Sequence, residues 1–285
     1  SIAGTIDCGG ICGGGGEAEG AGELTALNAE GFNTEATGDF NADGTGFSVE
    51  TEGDFSAKSC GLGEGVADLG ATAEGGALAI GPDSNSTGEG TLAIGLAAKA
   101  SGDETVALGN ALTASGIGIT AIGSKVKATG DQSVALGVAT TASGVQSIAI
   151  GNDVSVSATD AIAIGAFSAS NAEGAVALGA NSSASGVNAI AIGNRTSATY
   201  DNSFAFGPGA TAKGIGAGAI GSNAKSTGAN AMAIGVGATA SNDSSFALGT
   251  NATASGEDSS AFGVKATASG TNAVAVGTNS ISSGT

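Results

Sequence analysis

A glycine returns every fourteen residues from Gly81 to Gly277, fifteen times without a slip, and each time it closes a short apolar cassette such as Ser147-Ile-Ala-Ile-Gly151. A fixed short period means one supersecondary unit stacked on copies of itself, so the chain is expected to form a solenoid with faces and edges. Function is then to be sought on those surfaces.

Each cassette alternates with period two. The residue two before the anchor glycine is alanine in all fifteen repeats, and the residues one and three before it are mostly Ile, Leu, Val or Phe, as in Ile162/Ile164 and Phe204/Phe206. This is a strand with large side chains on one face and alanines on the other, and the large ones are expected to fill the inside of the coil. After the anchor, small residues at positions three and five alternate with Thr, Ser or Lys at four and six, as in Ala252-Thr-Ala-Ser255. That predicts a second strand facing the first, its hydroxyl and lysine side chains in water. A further glycine stands seven after the anchor in eleven repeats, where a corner with positive φ is expected. Ala158, Ala172, Tyr200 and Asn242 replace it, which predicts a different turn there.

With the large residues inside, the alanines would form an outward face kept small for close approach by another sheet. The candidate contact column is Ala79, Ala93, Ala107, Ala121, Ala135, Ala149, Ala163, Ala177, Ala191, Ala205, Ala219, Ala233, Ala247, Ala261 and Ala275. A partner that is another copy of the chain follows from that reading, without a symmetry number. Gly218 and Ser260 leave holes in the column three before the anchor, and Phe204 and Phe246 stand one rung away in the same column, so large is expected to pack beside small.

Composition narrows the functions. The chain has no histidine, a single arginine, Arg195, and three cysteines, so most general-base, zinc, haem and Cys/His nucleophile arrangements cannot be assembled from it. A non-enzymatic protein without cofactor or metal centre is expected. A net charge of −18 with no basic stripe excludes nucleic acid as a partner. Glycine and polar residues break every apolar run well short of the roughly 20 residues that span a bilayer, so no direct membrane insertion is expected of these residues. The start, Ser1-Ile-Ala-Gly4, lacks the features of a secretory signal, as in a mature product, an excised fragment or a chain not exported by that route.

Charge also divides the chain. Residues 1–75 carry fourteen carboxylates against Lys58, whereas 76–285 carry twelve against seven basic side chains. The first part keeps a looser period of fifteen, through Gly16, Gly31, Gly46, Gly61 and Gly76, and reads as a divergent, acidic, glycine-rich solenoid or cap. Stacking there would place Glu35 over Glu50 and Asp39 over Asp54, a solvated acidic face more readily than a calcium site, because no calcium-loop spacing is present. Cys8, Cys12 and Cys60 allow one disulfide and leave one cysteine free or paired between chains; their spacing does not give the connectivity.

Cassettes such as Ser147-Ile-Ala-Ile-Gly-Asn152, followed by runs like Ala252-Thr-Ala-Ser-Gly256, resemble the head repeats of trimeric autotransporter adhesins, the YadA-like family of Gram-negative surface fibres. The resemblance covers residues 77–285. It implies a left-handed parallel β-roll, three chains side by side as a homotrimer with their small-residue faces inward, and an extracellular head that attaches to matrix proteins, cells or surfaces. Neither a heptad stalk nor a membrane barrel is visible in the sequence. Two other readings stay open: a polymerising filament or phage-fibre subunit locked through the Cys8/Cys12 region, and a surface-binding solenoid using hydroxyl pairs such as Thr239/Ser241 and Thr253/Ser255, whose lattice the intruding lysines would spoil.

Overall fold

Backbone pairing between coils follows directly from the fourteen-residue period. Ile148 pairs with Ile162, Ala149 with Ala163 and Ile150 with Ile164, while Thr239 pairs with Thr253 and Ala240 with Ala254. Every column of the repeat therefore stacks on itself. The structure, a computed structural model, describes residues 41–42, 47–48, 71–74 and 76–284. The described residues hold no helix, and the repeat region is a parallel β-solenoid of about fifteen turns.

Each coil contributes one strand to each of two sheets. Strands ending at the anchor glycine, such as Ile162–Ile164 and Phe246–Leu248, form what is called here the aliphatic sheet. Strands after it, such as Thr239–Ala240 and Thr253–Ala254, form the hydroxyl sheet. The chain divides into two compact units, Ser1–Gly118 with Ile122–Ser124 and Ile119–Ala121 with Lys125–Thr285. In the first, Thr72–Glu74 pairs with Asn85–Thr87 at an offset of thirteen, so this strand precedes the boundary expected at residue 76. Asn41–Ala42 and Phe47–Ser48 pair antiparallel. The rest of the expected divergent solenoid over 1–75, with its carboxylate ladders and Cys8, Cys12 and Cys60, lies outside the described residues.

The corners are stacked as regularly as the strands. Asn202 N–H donates to the Val187 carbonyl at 2.8 Å, and Gly207 N–H to the Ile192 carbonyl at 2.8 Å. Corner backbone is thereby satisfied by the neighbouring coil, as buried peptide groups require. The anchor glycine has a physical cause. Gly249 has φ +139°, and a methyl group there would press into the backbone of Gly263, whose carbonyl carbon would be 2.6 Å away. Backbone angle and stacking both exclude a side chain, once per coil, and this produces the unbroken period.

The second glycine differs from expectation. Gly88, Gly102 and Gly116 have positive φ, but Gly144, Gly186, Gly214, Gly228, Gly256 and Gly270 do not, and neither do Ala158, Ala172, Tyr200 and Asn242. The corner's left-handed residue stands two positions later, at Asp160, Asn188, Asn202, Asn230 or Asn272. The four substituted coils therefore keep the same turn. A second left-handed position lies two after each anchor, occupied for example by Asn181, Asn223 and Asn251. Asparagine, which tolerates this region better than other side chains, recurs at both corners.

Candidate interaction surfaces

The alternation expected in each strand is present with its first strand reversed. The alanine column from Ala79 to Ala275 faces the interior: Ala93, Ala107, Ala149, Ala191 and Ala247 have no exposed surface, and even the terminal members Ala79 and Ala275 are buried. None of the fifteen is available to a partner. The core is built of small side chains from both sheets, including Ala161, Ala217, Ala240 and Ala254, with Leu112, Ile119, Val126, Val154 and Val156 the bulkiest. Two sheets joined by tight corners lie too close together for a file of isoleucines, and a methyl group from each side fills the gap at native density.

Core hydroxyls are tied to backbone. Ser147, Ser168 and Ser182 donate to the carbonyls of Gly144, Gly165 and Gly179 at 2.6 to 2.7 Å, three residues back. Thr140 reaches the next coil, donating to the Gly151 carbonyl at 2.8 Å. Ser84 Oγ and Ser133 Oγ are buried without a partner.

The large apolar side chains of the aliphatic sheet point outward. Leu78, Ile80, Ile164, Ile192, Leu248, Val274 and Val276 are exposed, and most of the remaining members of the two columns are half-buried by their neighbours in the stack. Phe204 and Phe206 lie with ring centroids 5.7 Å apart, and Phe246 and Phe262 with centroids 5.4 Å apart, all on this face. The expected pairing of large with small is present here too, on the outside: Phe204 is in register with Gly218, and Phe246 with Ser260.

The hydroxyl sheet is oriented as expected. Ala240, Ala254 and Ala268 are buried while Thr239, Thr253 and Thr267 beside them are partly exposed, and Lys99, Lys127 and Lys225 are exposed in the same column. From Asn85 to Ser283 its two outward columns contain no carboxylate. Among the described residues no group of three or more Cys, Asp or Glu is disposed to hold a metal ion, and no helix is long and apolar enough to cross a membrane.

This geometry repeats coil after coil, and the sequence matches the YadA head domain repeat, described as two copies, over residues 71–96, 86–111, 128–153, 157–182, 184–210, 201–224, 212–235, 226–252 and 254–280. The chain belongs to the YadA head repeat family. No curated protein matches it. Among solved structures, the collagen-binding domain of the Yersinia adhesin YadA is similar, with 29% identity, covering 48% of this chain and 69% of that one at a TM-score of 0.39. Membership places the protein among adhesin-type β-solenoids, a structural rather than catalytic class.

Two signals for the surfaces stood in the sequence. Invariance of the alanine column is what a confined interior imposes, because only one size fits. Asparagines two after the anchor and five before it marked the corners.

Proposed function

We propose that this chain forms the head of an extracellular trimeric fibre on a Gram-negative bacterium. Three copies of a left-handed roll pack side by side, with their aliphatic sheets around the common axis and their hydroxyl sheets outward. The observation that carries this reading is the exposed file of Leu, Ile, Val and Phe along one sheet of the single chain. A contiguous apolar face of this kind marks an association surface, and burying it around a rotation axis closes the assembly. Membership of the YadA head repeat family supports the same arrangement.

The outer sheet then meets the target. Its threonines, serines and lysines repeat at sheet spacing without an aromatic cluster, which suits attachment to matrix, cells or surfaces through many weak contacts in place of one socket. The test is the solution mass by light scattering. Three times the chain mass of 26.2 kDa is expected; a monomer at all concentrations overturns the proposal. Binding of the trimer to immobilised matrix proteins, abolished by substitutions on the hydroxyl sheet and unaffected by reductant, then tests adhesion.

A further inference from the structure

Charge in the second unit is sorted by corner. Residues 125–284 contain eight carboxylates, and seven of them, Asp131, Asp201 and Glu257 among them, stand on the corner that leads from the hydroxyl sheet to the aliphatic sheet, with no lysine or arginine. The opposite corner carries Lys125, Arg195 and Lys265, with Asp153 as its one carboxylate. All of these side chains are exposed. The aliphatic sheet between the two corners bears no charge.

The two charged corners lie at opposite ends of each coil's hydroxyl strand. Lys125 and Asp131 flank the hydroxyl strand Lys127–Ala128 on its two sides, six residues apart, roughly 15 Å at sheet rise with allowance for the corners. Each cation nevertheless has an acid at almost its own level. Asp131 follows Lys125 by six residues, Asp201 follows Arg195 by six, and Asp258 precedes Lys265 by seven. Half a coil corresponds to an axial step of about 2.4 Å. In a ring with aliphatic sheets inward, the acidic corner of one copy adjoins the basic corner of the next.

We propose that these corners form a charge-matched, heterologous seam between copies, in which Lys125, Arg195 and Lys265 of one chain face Asp131, Asp201 and the Glu257/Asp258 pair of its neighbour. This rests on the trimer reading above and adds to it: the apolar face supplies the association, and the corners select which edges meet and at what register. The carboxylates have a second task that does not compete. Asp201 Oδ1 accepts the Val187 N–H at 2.9 Å, and Asp243 Oδ1 accepts the Ala229 N–H at 2.8 Å, which fixes the carboxyl groups on the corner with a second oxygen to offer. Asp153 is the one mismatch, since Asp160 lies at its level.

The test uses the full chain, mixed from isotopically light and heavy preparations, reassembled, and treated with a carbodiimide that joins only touching ammonium and carboxylate groups. Mixed-isotope Lys125–Asp131 and Lys265–Glu257 or Lys265–Asp258 peptides are expected. Arg195→Asp, acceptable at a left-handed corner where Asp153 already stands, is expected to raise the concentration of half-dissociation about tenfold at low ionic strength and much less at 1 M salt. Asp153→Lys is expected to lower it. If the ring does not dissociate on dilution, the urea midpoint reads the same order. A trimer lacking those cross-links and indifferent to both substitutions overturns the seam and leaves the trimer standing, whereas a monomer overturns both.

Discussion

The ring of Phe204 covers Gly218 in the next coil, and Met232 closes over it from the coil beyond, so that Gly218 is buried on a sheet face whose other members are half-buried or exposed. A methyl group on Gly218 would fall within the van der Waals envelope of the ring and 2.5 Å from the Met232 sulfur. The backbone of Gly218 has no positive φ, so space alone excludes a side chain. Gly218→Ala is expected to cost about 1–3 kcal/mol by overpacking. In a Phe204→Leu background the same change should cost less than half as much. Urea unfolding of the four-member cycle measures the coupling, and additive effects would show that ring and glycine do not share the space.

Interior and exterior are separable by substitution. Ala163→Leu places a branched side chain between two sheets that leave room for a methyl group, and is expected to destabilise the coil by about 3 kcal/mol or more, the upper end of overpacking costs. Ile164→Ser, one residue along and 39% exposed in the single chain, should leave the circular dichroism of the chain unchanged and weaken association. An outward alanine column would give the opposite pair of results.

Two serines in one interior column should respond in opposite directions. Ser147 Oγ donates to the Gly144 carbonyl at 2.6 Å, whereas Ser133 Oγ is buried with no partner. Ser147→Ala is expected to cost about 1 kcal/mol, and Ser133→Ala to gain about 1 kcal/mol by removing an unsatisfied hydroxyl. Equal shifts in the urea midpoint would contradict the hydrogen-bond assignment.

The period, the two-strand coil and the outward hydroxyl columns were legible because each follows from spacing alone. The phase of the first strand was not. Alternation of Ile148, Ala149 and Ile150 divides side chains between two faces without saying which is inside, and the habit that large apolar residues go in gives the wrong answer for a coil this thin. Width was the missing quantity. It is set by the corners, where the left-handed residues Asn188 and Asn202 allow the chain to reverse within a few positions. The Phe204/Gly218 match was visible as volume compensation, yet it reads the same on either face. Charge sorting emerges only when residues as far apart as Asp131 and Glu257 are placed on one corner.

The left-handed corners yield a last prediction, because most side chains pay to occupy them. Ala139 has φ +53° and Phe167 φ +58°, whereas equivalent positions elsewhere hold Gly209, Gly237, Asn223 and Asn251. Ala139→Gly removes the Cβ clash and is expected to stabilise the roll by about 1 kcal/mol, with Ala139→Asn gaining a smaller amount. The same Ala-to-Gly change at Ala128, in a hydroxyl strand with its side chain fully buried, should destabilise by at least about 1 kcal/mol through lost packing and added chain entropy. Hydrogen exchange read coil by coil distinguishes the two, since stability in a solenoid is largely a nearest-neighbour property. Protection should rise around residue 139 in the first variant and fall around 128 in the second. Loss of protection at both sites would mean that the corner does not sit in the left-handed region.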